Sequence, residues 1–360
     1  MGDGTASVTW PSAAARVGTM ALREGTKRTT MTHAPTSLRF EVAEGWEQLP
    51  AGWDHADVAG VAVDSHDNVF LITRAEHPVI VYDRDGKFLR SWGEGAFTRR
   101  THGISIGPDD MVYCTDDGAH TVSKFTPDGQ LVFTLGITGQ ASDTGYNGRD
   151  PASIQRAGPP FNRPTNLAVA PSGDLFVSDG YGNARVHRYA SDGTLVQSWG
   201  EPGSKPGQFI TPHGIGVSAD GRVFVCDREN DRIQIFSAEG DVLDIWESVQ
   251  RPCQVFMARD GSVYVAELPW RPGNVSGRRG RIEAYEPGHL AVLDKGGTVL
   301  ARVGDDGDPS AAGNFAAPHG LSVDSRGDVY VAEVTGTFAV TPGHVPAGCH
   351  TLQKLVLLSS

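Results

Sequence analysis

"THGISIGPDDMVYCTDDGAHTVSKFTPDGQLVFTLG", residues 101–136, decides the fold. It contains four short apolar runs separated by an Asp-Asp turn, an acidic loop and an Asp-Gly turn, and it ends in Leu-Gly. Alternation at period two with Gly-bearing turns makes such a unit four short antiparallel strands. Close variants of the unit run from Val58 to Gly93, Pro164 to Gly200 and Pro212 to Trp246. A fifth copy, from Pro252 to Gly304, is interrupted by "ELPWRPGNVSGRRGRIEAYEPGHL"; a sixth begins at Pro318 and finishes in "LQKLVLL".

A repeat of this length, with almost no helical periodicity, predicts an all-β fold: a six-bladed β-propeller, which protects its sheet edges by closing a ring. The sixth copy lacks a clear last strand, and "LRFEVAEGW" at 38–46 precedes the first copy. The N-terminal strand is therefore expected to close the last blade, giving one domain over 38–360. Residues 1–37 read as a disordered leader or an early start, with Met20 or Met31 as alternative starts. Two polar stretches, 137–160 and 336–350, are expected to overhang one face.

The chain has 360 residues, with 31 basic against 43 acidic and a net charge of −12. Without a basic stripe, this argues against nucleic acid or an anionic membrane as partner. No apolar run reaches the roughly 18 residues of a membrane span. The leader lacks the apolar stretch of a secretory signal, and the four cysteines show no CxxC and no dense framework, so reduced thiols and a cytoplasmic home are expected.

A His-Gly pair precedes the first strand in alternate copies: His102 in the second, His213 in the fourth and His319 in the sixth. The third and fifth copies carry Thr165 and Cys253 at that register. Duplication of a mere turn would have spread the pair to all six copies. Alternate blades of a six-bladed ring stand about 120° apart with their first strands lining the channel. Three imidazoles therefore converge on the axis, the donor set of a three-His metal site with an open position. Neutral imidazoles suit zinc, and iron, copper or nickel also bind such a set.

The second strand of each copy runs back to the histidine end. Arg74, Tyr181 and Arg228 sit just past those ends, the two arginines at equivalent places in the first and fourth copies. Two guanidiniums beside a metal suit a carboxylate-bearing substrate; they equally suit neutralisation of Asp116, Asp179 and Asp227. Asp179 and Asp227 read as blade-stabilising, with Glu267 and Glu333 in the same place as further candidate bases.

"RPTNLAVAPSGDLFVSDGYGNARV" and "GQFITPHGIGVSADGRVFVCDRENDRIQIF" carry a resemblance to NHL-repeat propellers, specifically to the peptidyl-α-hydroxyglycine α-amidating lyase domain. It spans roughly residues 58–335. The resemblance implies a catalytic zinc on His102, His213 and His319, Tyr181 as general base, and functional roles for Arg74 and Arg228. It implies cleavage of the C–N bond of a small anionic α-hydroxyglycine-type carbinolamide to an amide and glyoxylate. Three positions depart from that pattern. Gly320 replaces an acidic calcium ligand, which makes a structural calcium doubtful; Ala317 replaces a methionine of the pocket wall; Gly182 replaces a disulfide cysteine. The alternatives are a metal-dependent hydrolase or lactonase on the same three histidines, or a non-catalytic NHL scaffold.

Overall fold

The computed structural model describes residues 38–305 and 307–358, and the expected leader lies outside them. Six four-stranded antiparallel sheets follow one another in chain order as blades one to six. Each begins with a six-residue inner strand: Val58–Val63, Thr101–Ile106, Pro164–Val169, Pro212–Val217, Pro252–Met257 and Pro318–Val323.

The strands do not all alternate. The second strand of every blade, such as Val112–Asp116 or Val223–Asp227, is buried at all five residues. Both its faces pack on neighbouring blades, so it reads as a continuous apolar run. Burial gives way outward, and Leu131 and Val132 on the outermost strand of blade two are 60% and 51% exposed.

The N-terminal strand closes the ring. Arg39–Val42 pairs antiparallel with Leu352–Leu358, Arg39 opposite Leu358 and Val42 opposite Leu355. Trp46 then repeats a contact made around the ring. Trp92 and Trp199, which end the outermost strands of blades one and three, lie against Gly129 and Gly240 in the outer turn of the following blade. A Cβ on Gly129 would stand 2.6 Å from the Trp92 ring. Trp46 also lies against Gly86 of blade one, there with its backbone carbonyl nearest and its ring 3.2 Å from where a Cβ would stand, and it meets Tyr330 edge-on at 5.2 Å. Trp-Gly and Asp-Gly in the repeat are thus two halves of one inter-blade contact.

Connections at the two ends of the ring differ in length. At the end where inner strands finish, blades turn through short Asp-Gly-type loops, and a cavity of roughly 770 Å³ opens between Asp64, Met257 and Arg326. At the other end lie the stretches 137–160 and 336–350 and the blade-five insertion, which carries a small hairpin of Val275–Ser276 with Gly280–Arg281. All four cysteines are free thiols. No helix among the described residues is long and apolar enough to cross a membrane.

Candidate metal centre

Every inner strand is bulged at the same place. Pairing with the second strand skips a residue after Val58, Thr101, Pro164 and Pro252, after Pro318, and over two residues after Pro212. A bulge re-aims a side chain and frees a backbone carbonyl from the ladder. The skipped positions are Ala59, His102, Thr165, His213 with Gly214, Cys253 and His319.

The even blades use the side chain and the odd blades use the carbonyl. Nδ1 of His102 donates to Thr165 O at 2.6 Å, His213 to Cys253 O at 2.7 Å, and His319 to Ala59 O at 2.7 Å. A carbonyl only accepts, so each Nδ1 carries the proton and each Nε2 presents a lone pair. The three ring centroids form a triangle with sides of 4.7 Å. Their ligand atoms lie within 4.8 Å of one another. The recurring Gly belongs to this interface. A Cβ on Gly103 would stand 2.8 Å from Thr165 O, one on Gly214 2.5 Å from Cys253 O, and one on Gly320 2.9 Å from Gly60 Cα. A side chain there would hold apart the blades that the imidazole–carbonyl bonds join.

All three histidines are buried, and burial is the main cause that lowers their pKa, His319 to about 3. His319 and Arg74 add to the effect at His102, and Arg228 and His319 at His213. They are neutral at physiological pH, the state that binds metal.

Tyr181 lies over this triangle. Its Oη is 3.0 Å from Nε2 of His102 and 3.1 Å from Nε2 of His213. Its loop passes close against blade four, where a Cβ on Gly180 would run into the backbone of Pro212. One phenolic proton cannot serve two lone pairs at once, and among the described residues no other donor reaches the three Nε2 atoms. Three convergent buried lone pairs with one proton between them fit a divalent cation, and three anchored neutral imidazoles suit a transition metal such as zinc. Beneath the triangle a cavity of about 10 Å³ is lined by Gly60, Gly103, Gly320, Asn166 and Gln254 among others, with no carboxylate.

Arg228 is buried and donates from Nη1 to Tyr181 Oη at 3.2 Å, its guanidinium 5.3 Å from the ring centre. Burial holds the pKa of Tyr181 above its ordinary value, and Arg228 offsets part of that rise. Glu229 accepts from Arg228 Nε at 2.8 Å and also holds Arg251, which lies 4.2 Å from the Trp270 ring. Arg74 donates from Nε to Thr101 O at 3.2 Å and from Nη1 to Asp57 at 3.1 Å. Asp57 is held in turn by the backbone and hydroxyl of Thr337 from blade six.

The fold therefore brings His102, His213, His319, Tyr181, Arg228 and Arg74 to one end of the channel. Neither arginine neutralises the expected aspartates: Asp57 and Glu229 are the counter-ions. Glu267 and Glu333 are turned away into their blades. Glu267 receives Arg302 and the Gln250 N–H, and Glu333 receives the Ala316 and Ala317 N–H groups. Asp179 does the equivalent for Asn162 and Asp227 for Ile210, which is the blade-stabilising role.

The NHL repeat family model matches residues 161–189 and 209–236. NHL repeat-containing protein 3 of Mus musculus is 32% identical over 82% of this chain and 81% of its own. Peptidyl-alpha-hydroxyglycine alpha-amidating lyase 1 of Drosophila melanogaster is 34% identical, over 42% of this chain and 27% of its own. Among solved structures, a gluconolactonase from Xanthomonas campestris superposes with a TM-score of 0.55 at 15% identity, covering 85% of this chain and 88% of that one. At that identity the likeness is one of fold alone.

Proposed function

The chain belongs to the NHL-repeat family of NHL repeat-containing protein 3, and on that premise we propose that it is a metal-dependent carbon–nitrogen lyase acting on a carbinolamide of the α-hydroxyglycine type. One observation carries the reading: Tyr181 Oη lies within hydrogen-bond reach of two convergent imidazoles and a buried guanidinium. The partial likeness to amidating lyases supports the same class.

His102, His213 and His319 would hold the ion. When bound, it supplies Lewis-acid polarisation of a substrate oxygen. Tyr181, with Arg228 stabilising its phenolate, takes the proton of the substrate hydroxyl. The O–H electron pair becomes the second C–O bond of glyoxylate as the C–N bond breaks and its pair moves to nitrogen. Tyr181 returns the proton to that nitrogen, so the products are a neutral amide and glyoxylate with no net proton exchanged. Arg74 has two of its nitrogens engaged by Thr101 and Asp57, and Nη2 is left to contact the substrate carboxylate.

The test is release of glyoxylate from an N-acyl-α-hydroxyglycine by the zinc-loaded protein. Tyr181→Phe should slow release by ~10²-fold or more while metal content is unchanged. A protein that holds its metal and releases no glyoxylate sinks this reading.

A further inference from the structure

The arginines at the metal end are not all paired. Arg74 has Asp57, and Arg228 and Arg251 share Glu229. Arg271, on the blade-five insertion, has no carboxylate. Its Nε and Nη2 are buried and meet no acceptor among the described residues. These two nitrogens form one edge of the guanidinium, with parallel N–H bonds, the edge that takes both oxygens of a carboxylate.

The side chain is held in place without being satisfied. Its guanidinium lies 5.2 Å from the ring centre of Tyr285, and a turn in which Arg271 and Asn274 exchange hydrogen bonds fixes its backbone. The insertion itself is fastened to blade four. Asp231 receives the Trp270 indole at 2.7 Å, the Arg279 Nε at 2.8 Å and the Ser276 hydroxyl, while Gly277 N–H donates to Glu229 O at 2.7 Å. Trp270, next to Arg271, lies under Arg251, which shares Glu229 with the Arg228 that touches Tyr181. Burial lowers the pKa of Arg271, Tyr285 opposes that, and the nearby charge of Arg251 lowers it further. A half-buried guanidinium whose covered N–H groups find no acceptor is costly, and an anion arriving with a ligand removes that cost.

We propose that Arg271 is a distal substrate anchor that binds a second carboxylate at the far end of the acyl group, through the paired N–H bonds of Nε and Nη2. The proposal deepens the lyase reading and rests on it for the placement of the acyl group. The preferred substrate is then an N-acyl carbinolamide with a carboxylate at both ends.

The experiment uses unreactive N-acylglycines of graded chain length, each ending in either a carboxylate or a methyl group. Binding to the zinc-loaded full chain is measured by calorimetry. At one chain length the carboxylate-ended ligand should bind ~10-fold or more tighter than its methyl-ended partner. Arg271→Gln should abolish that preference and leave the methyl-ended affinity unchanged. Arg271→Lys, which keeps the charge and loses the fork, should retain part of it and serves where the Gln variant fails to fold. Equal affinities at every length, or a preference that survives Arg271→Gln, overturns the anchor. A carboxylate preference without glyoxylate release overturns the lyase reading alone; release with no preference overturns Arg271 alone.

Discussion

Odd and even blades differ at the metal end by one side chain in one bulge. Blades two, four and six place His102, His213 and His319 there, and blades three, five and one answer with the carbonyls of Thr165, Cys253 and Ala59. The bulge is common to all six, so the geometry is a property of the ring. The histidines occupy alternate positions of a scaffold whose other three bulges offer the acceptors. The site therefore belongs to interfaces between blades, and side-chain identity should matter only in the even ones.

The strongest way to break this comparison is to empty the same position in neighbouring blades. His213→Ala removes a ligand, whereas Cys253→Ala keeps the backbone carbonyl that orients His213. Loss of an outer partner typically costs about 10- to 100-fold in metal affinity, so His213→Ala should cost more than ~100-fold. Cys253→Ala should cost almost nothing, as read by chelator competition. Comparable losses in the two variants would mean that the thiol, not the carbonyl, is what blade five contributes.

Gly214→Ala is the intermediate case. The new Cβ would stand 2.5 Å from Cys253 O and 2.6 Å from Gln254 Cα, backbone atoms that cannot swing aside. The carbonyl of blade five must shift from His213 Nδ1. Metal affinity should fall by about 10- to 100-fold, as for loss of an outer partner. Thermal stability should fall by about 1–3 kcal/mol from overpacking. Gly158→Ala, with open space around it, is the control and should change stability by less than about 0.5 kcal/mol. Wild-type metal affinity in Gly214→Ala would show that the inter-blade bond does not orient the ligand.

These contrasts mark how far the sequence could be read. Turn residues recur at fixed offsets, so the six sheets and the closing strand were legible, and Trp46 even completes the Trp-against-Gly pattern. The three histidines were legible because a repeat makes positions comparable: one residue type at alternate copies stands out against the other three. The counter-ions were not. Neutralisation of Asp116, Asp179 and Asp227 was one of two readings open for Arg74, and its partner is instead Asp57, a loop residue just before its own blade's first strand. Glu229 stood in plain sight in "DREN", but nothing in a repeat pattern tells which way a side chain leaves a short 3-10 turn. Glu267 and Glu333 misled for the opposite reason. Their register made them look placed for the site, while at that register the carboxylate caps backbone N–H groups within the blade. Arg271 lies where an insertion interrupts the repeat and no copy exists for comparison.

The smallest expected effect separates the two arginine mounts, one in an odd blade and one in an even blade. Glu229 is nearly enclosed and serves two buried guanidiniums, with Arg228 Nε at 2.8 Å and Arg251 Nη2 at 3.2 Å. Burial alone would raise its pKa, but Arg251 and Arg228 hold it below the ordinary value of 4.5. A depressed carboxyl contributes stability that is complete above the unfolded value and is lost as pH falls through the folded one. Wild type should therefore lose stability on acidification below about pH 4.5, and Glu229→Gln should lack that part of the acid limb. At neutral pH the Gln variant should be less stable by about 1–3 kcal/mol, the worth of hydrogen bonds to charged groups. Asp57 is as enclosed as Glu229 but serves one arginine rather than two, its remaining partners being the neutral backbone and hydroxyl of Thr337. Asp57→Asn keeps an amide oxygen for Arg74 and loses one charge-assisted partner instead of two, so it should cost about 0.5–1.5 kcal/mol, less than Glu229→Gln. Thermal melts of both variants at neutral and acid pH decide the point. An Asp57→Asn loss equal to that of Glu229→Gln would show that the two mounts are equivalent, and that the enclosed three-charge arrangement at blade four has no special hold on Arg228.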